Sequence, residues 1–172
     1  MKLAFTIAPG RGETNVLLAE IAEDLIARKV RVVGTVQIDT DRGEDRKCDM
    51  DVMVLPDGPL IRISEDRGVG ARGCRLDADA LEGAVADTEA VLALRGEQRA
   101  DLLLVNKFGK HEAEGRGFRA AIATALERDI PVLVGVNKLN REAFEAFCGE
   151  AAEELPADTA AISAWIDRAL AP

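Results

Sequence analysis

Apolar and polar positions follow one another along this chain in blocks whose lengths and periods read as strands and helices in turn. Leu3 to Ala8 is a short apolar run closed by Pro9-Gly10, the pattern of a buried strand entering a tight turn. Leu18, Ile21, Ala22 and Leu25 then recur at helical spacing, with Glu20, Glu23 and Asp24 on other faces; this predicts a helix ending near Lys29. Val30 to Ile38 reads as a second buried strand, and the polar stretch Asp39 to Asp49 as a surface loop. Val52 to Leu55 and Leu60 to Ile63 flank Pro56-Asp57-Gly58-Pro59, a hairpin signal. Ser64 to Arg75 has no period and reads as a loop.

Asp77 is placed to cap a helix with Leu81, Ala84, Val85 and Leu92 on one face and a stop near Gly96. Asp101 to Val105 reads as a central strand and Pro131 to Val136 as another of parallel-sheet character. Phe118, Ala121, Ile122 and Ala125 mark a helix between those two strands, and Ile162, Trp165, Ile166 and Ala169 mark the last helix. The alternation predicts an α/β fold: a mostly parallel three-layer sandwich with a small hairpin inserted after the second strand. Ligands of such sheets sit beyond the carboxyl ends of the strands, so the turns after Ala8 and Val105 are expected to be neighbours.

Composition narrows this picture. With 172 residues and 48% apolar content, the chain is expected to form one domain over residues 1–172. Aromatic residues are 3% and Tyr is absent, so the core must be built from aliphatic side chains. A net charge of -9 argues against a general nucleic-acid binder, which needs a broad basic surface. Basic residues gather between Arg62 and Arg119 and acidic ones in the last third, which places any anion site in the middle segment. Three cysteines without CxxC spacing, no secretory pattern and no long apolar run point to a cytoplasmic protein outside the membrane.

The candidate chemistry lies in two turns. Pro9-Gly10-Arg11-Gly12-Glu13-Thr14-Asn15 stands between a strand and a helix, where a glycine-rich turn points backbone amides at a phosphate. It resembles the P-loop GxxxxGK[ST] with Ile7 at the first Gly, Gly12 at the second, Glu13 at the Lys and Thr14 at the metal-facing hydroxyl. A carboxylate at the Lys position repels the phosphates that Lys would hold, while Arg11 offers a replacement charge. The alternative is a plain β–α turn that needs Gly for its geometry.

The second turn follows Asp101 to Val105 and runs Asn106-Lys107-Phe108-Gly109-Lys110-His111-Glu112, then Ala113-Glu114-Gly115-Arg116-Gly117-Phe118-Arg119. This stretch resembles the strand-plus-DEIGKME Walker B region of the small cancer-related nucleoside triphosphatases, with Asn106 for Asp, Lys107 for Glu, and Gly109, Lys110 and Glu112 retained. The PGxGKTT loop of that family similarly lines up with Pro9 to Asn15. Over nearly its full length the chain resembles a bacterial family described as nucleoside-triphosphatase-like, through CDMD at Cys48 to Asp51, GCRLD at Gly73 to Asp77, NKFGKxEAEGRG at Asn106 to Gly117, and IPVL at Ile130 to Leu133.

That resemblance implies a P-loop fold binding ATP or GTP with Mg²⁺. It also implies an accessory role in molybdenum metabolism, with a molybdenum enzyme or transporter as partner. The altered positions argue for weak or absent hydrolysis, since Asn106 lacks the anionic oxygen that organises Mg²⁺ and Lys107 adds a positive charge. Glu13 and Lys107 read as a charge reversal that pairs across the cleft. The basic set Lys107, Lys110, Arg116 and Arg119, with Arg67, Arg72 and Arg75, forms either one anion site or a solvated face. As a site it suits a small anion, molybdate as well as a nucleotide. His111 is expected at the surface. CDMD places Asp49 and Asp51 on one face of a strand without the spacing of a closed metal site. Cys74, beside Arg72 and Arg75, is a weak redox or metal candidate.

Overall fold

The computed structural model describes residues 2–41, 48–65 and 76–171. The strands are β1 (Leu3–Thr6), β2 (Val32–Thr40), β3 (Asp49–Leu55), β4 (Leu60–Arg62), β5 (Leu102–Phe108), β6 (Val132–Val136) and β7 (Ala152–Leu155). The α-helices are α1 (Glu13–Ala27), α2 (Ala78–Leu92), α3 (Lys110–Ala113), α4 (Arg119–Glu127), α5 (Arg141–Cys148) and α6 (Thr159–Leu170). The strands form one sheet in the order β4-β3-β2-β5-β6-β1-β7. The pairs from β2 to β7 are parallel, whereas β2–β3 and β3–β4 are antiparallel. The expected hairpin after β2 is present and continues the main sheet at its edge.

Each central strand is buried on both faces, which is why β5 and β6 are nearly unbroken apolar runs. Alternate side chains divide the core. Leu102, Leu104 and Leu133 pack with Leu18 and Ile21 of α1 and with Ile162 and Trp165 of α6. Leu103, Val105 and Val134 face the other way, against Leu81 and Val85 of α2, Ile122 of α4 and Phe144 of α5. Three layers follow from this period-2 alternation between two helical faces, and the fold is of the P-loop nucleoside-triphosphatase-like kind.

Boundaries moved where local chemistry outweighed hydrophobicity. β1 stops at Thr6, and Ile7 and Ala8 already belong to the turn. Asp77 caps α2 as expected, its side chain accepting from the Ala80 amide at 3.0 Å, but the helix ends at Leu92, and Gly96 instead opens a short 3₁₀ turn at φ 63°. In β2, Gly34 sits at φ +122°, and a Cβ there would run into the Leu104 backbone of β5. Close approach of two central strands requires glycine at this position. Three elements have no counterpart in the apolar pattern: α3, α5 and β7.

Candidate functional site

β1 delivers the chain into a turn, Ala8 to Gly12, that lines a cavity of about 580 Å³. Gly12 lies at φ +79°, a left-handed conformation that glycine adopts without strain, and turns the chain into α1. There the Gly12 carbonyl accepts from the Asn15 and Val16 amides at 3.0 and 3.2 Å. Thr14 Oγ accepts from the Ala8 amide at 3.1 Å and ties the helix back onto the turn. The amides of Arg11 and Gly12 have no backbone partner among the described residues, as expected of the entry to a first helical turn open to an anion.

Around this turn the cavity is walled by Asn15 of α1, Gln37 and Asp39 of β2, Cys48 and Met50, Lys107 of β5, and the run Gly135 to Lys138 at the end of β6. The turns after β1 and β5 do meet at one edge of the sheet, with β6 between them. Three cations line the space: Arg11, Lys107 and Lys138. None has an acidic partner among the described residues. Lys138 and Asn137 did not stand out in the sequence, although Val136-Asn137-Lys138 repeats Val105-Asn106-Lys107 at the end of the adjacent parallel strand. That duplication was the available signal. Asn137 Oδ1 accepts from the Leu139 amide at 2.9 Å, which orients its side chain.

The expected pairing of Glu13 with Lys107 is not what the structure contains. Glu13 Oε2 accepts from the Gly10 amide at 2.8 Å, so its carboxylate folds back onto its own turn and takes up one of the amides an incoming anion would use. A local capping bond three residues apart costs less chain ordering than a contact across the cleft. Lys107 is thereby left to the cavity.

A chain of side-chain amides crosses the floor of the site. Asn106 Nδ2 donates to Asn15 Oδ1 at 2.8 Å, and Asn15 Nδ2 donates to Asp39 Oδ2 at 2.7 Å. Gln37 Nε2 donates to Asp39 Oδ1 at 2.7 Å. The direction of the chain is set at its acidic end: Asp39 accepts only, so Asn15 must turn its NH₂ there and its oxygen toward Asn106. A carboxylate at position 106 would face that oxygen with no proton to share, which accounts for Asn where the resemblance leads one to expect Asp. Asn106 is 2% exposed and its Oδ1 has no partner among the described residues.

This donor set does not fit a tightly held divalent cation. Among the described residues the cavity holds one carboxylate against three cations, the Thr14 oxygen already accepts a hydrogen bond, and Asn106 presents its NH₂ to Asn15. Mg²⁺ prefers several anionic or carbonyl oxygens in octahedral array, which these side chains do not supply.

The remaining candidates stand apart from the cavity. Glu112 is 2% exposed and accepts from the Gly109 amide at 3.0 Å and the Phe118 amide at 3.4 Å, pinning the segment after β5. Burial pushes its carboxyl above the ordinary glutamate value, against the pull of those amides. Lys110 and Arg116 both reach Glu114, at 3.7 and 2.8 Å. Arg119 lies over the Phe147 ring at 4.4 Å. The four basic residues therefore do not converge, and Arg67, Arg72, Cys74 and Arg75 lie outside the described residues.

His111, expected at the surface, is 5% exposed and bonded to Glu82 at 2.6 Å. That bond, with the Gly117 amide, holds the Glu82 carboxyl below its ordinary range. Asp49 and Asp51 share a face as expected, and both engage Arg62 of the neighbouring strand, at 2.8 and 2.5 Å.

The solution structure of a human cancer-related nucleoside triphosphatase shares this fold, with a TM-score of 0.58 and 21% identity over 90% of this chain and 87% of that one. The molybdenum import ATP-binding protein ModC 2 of Bradyrhizobium diazoefficiens is 36% identical over 153 residues. The matched region is 89% of this chain but 17% of that protein. The profile of the family described as "Protein of unknown function (DUF2478)" matches residues 3–165, and the chain belongs to that family.

Proposed function

We propose that this protein binds a nucleotide or other phosphate-bearing anion above the turn Gly10 to Thr14, with weak or absent hydrolysis, as an accessory factor in molybdenum metabolism. One observation supports the binding site: Arg11, Lys107 and Lys138, which have no acidic partner among the described residues, line one cavity beside the glycine-rich turn. Unpaired cations facing a concave, amide-lined space stabilise an anion more than the same charges spread over a surface. Gly10, Gly12, Thr14, Asn15 and Asn106 shape the site, and Arg11 with Lys107 supplies the charge that Glu13 withholds. Weak hydrolysis follows from the absence of a metal-fitting donor set. The metabolic assignment rests on the similarity to the molybdenum import ATP-binding protein.

A second reading, a molybdate or tungstate carrier, is favoured by the same three cations, since a tetrahedral oxyanion needs donors and no base reader. Calorimetric titration with ATP and GTP, each with Mg²⁺ and with a chelator, beside molybdate, tungstate, sulfate and phosphate, separates the two. Nucleotide binding that persists in chelator is expected. Failure of every nucleotide to bind removes the first reading, and failure of every anion removes both.

A further inference from the structure

Asp39 is the one carboxylate lining the anion cavity among the described residues, and the binding of an inorganic anion offers no use for it. Molybdate, sulfate and phosphate present acceptor oxygens, which a carboxylate repels. Yet Asp39 is not a loose surface acid. Asn15 and Gln37 each donate to one of its oxygens at 2.7 Å, and both partners are neutral, so its orientation is fixed without an ion pair among the described residues. Each carboxylate oxygen offers two lone-pair directions; one on each is taken by an amide, leaving one on each for a further donor. Two hydroxyls on neighbouring carbons match that arrangement.

The space beyond Asp39 has a different character. A second cavity, of about 790 Å³, shares Arg11, Gly12, Gln37 and Asp39 with the first and continues over Val16 and Ile38. Those two apolar side chains are 61% and 40% exposed. Glu13, Glu20 and Glu23 border this shelf and disfavour phosphate there. From the turn outward the surface thus runs cationic, then a fixed acceptor, then apolar, which is the order of groups in a nucleoside phosphate.

We infer that the ligand is a ribonucleoside phosphate whose ribose diol donates to Asp39 and whose base lies on the Val16–Ile38 shelf. This rests on the anion site proposed above and names what is attached to the anion. Recognition of a diol by a fixed carboxylate discriminates against analogues lacking one hydroxyl, by roughly tenfold for a charge-assisted bond at a partly exposed site.

Titration with ATP, GTP, 2′-deoxy-ATP and inorganic tripolyphosphate, on wild-type protein and on Asp39→Asn and Ile38→Ser, tests it. ATP or GTP is expected to bind about tenfold more tightly than the deoxynucleotide and than tripolyphosphate. Asp39→Asn should erase the ribose preference while leaving tripolyphosphate binding unchanged or tighter. Ile38→Ser should weaken nucleotides alone, and thermal melting checks that both variants fold. Equal affinity for all four probes, or an Asp39→Asn variant that weakens tripolyphosphate as much as ATP, overturns the inference. Binding of tripolyphosphate without preference sinks this inference and leaves the anion site standing, whereas no binding by any probe removes both.

Discussion

Glu13 occupies the position at which a P-loop places lysine, and its carboxylate holds the Gly10 amide. An incoming anion must displace that carboxylate or lie beside it, and both cost binding energy. Glu13→Ala is therefore expected to tighten tripolyphosphate binding by about tenfold, the value of one charge-assisted contact restored and one repulsion removed; unchanged affinity in calorimetry would separate Glu13 from the site. Glu112 makes a different point at the same scale. Its carboxyl is raised by burial, so the folded chain retains a proton at a pH where the unfolded chain has released it. Its contribution to stability is therefore fully present below the unfolded value of about 4.3 and is lost as pH rises through the higher folded value. Relative to Glu112→Gln, the wild type should gain stability as pH falls from neutrality toward the unfolded value, read as a difference in urea midpoints. Glu82 acts oppositely, since its lowered carboxyl stabilises above the ordinary value and loses that effect in acid, and carrying Glu82→Gln in both proteins removes it from the comparison.

At the scale of elements, the apolar pattern marked β1, β2, β5 and β6 because their central residues are covered on both faces and are mostly apolar, while Thr6, Gln37 and Asn106, which are buried and polar, lie toward the carboxyl ends. It missed β7 for the converse reason. Ala152-Glu153-Glu154-Leu155 is an edge strand that buries only Leu155, and charged residues on an edge blunt pairing with other chains. α5 was missed although Ala143, Phe144, Phe147 and Cys148 recur at helical spacing and pack on the core, because eight residues show little more than two turns of that period. Gly34 offers a direct test of the β2–β5 seam. Gly34→Ala must push the Leu104 backbone away and adopt a strained φ, so a loss of roughly 3 kcal/mol in chemical denaturation is expected, and a change below 1 kcal/mol would show that the seam yields.

Across the whole molecule, the sequence disclosed the first turn, its helix and the strand that carries Asn106, the parts where glycine and unusual charge interrupt an apolar run. The rest of the site was hidden because it is assembled laterally. Asp39 and Gln37 lie at the end of β2, and Lys138 at the end of β6, distant in sequence from the turn they face. Conversely, the most distinctive stretch, Asn106 to Gly117, owes much of its character to packing: Glu112 pins its own backbone and His111 is committed to Glu82. Unusual residue patterns attract attention equally whether they serve a ligand or a fold, and burial separates the two.

The row of amides running from Asn106 through Asn15 to the carboxylate on β2 has a bearing on how this protein responds to its surroundings. Amides neither gain nor lose protons in water, and no imidazole lines the cavity. The framework that orients the acceptor is therefore deaf to acidity near neutrality. Ligand affinity measured from pH 6 to pH 7.5 should follow the ionisation of the ligand's own phosphate and nothing else. A steeper dependence would mean that a protein proton takes part in binding.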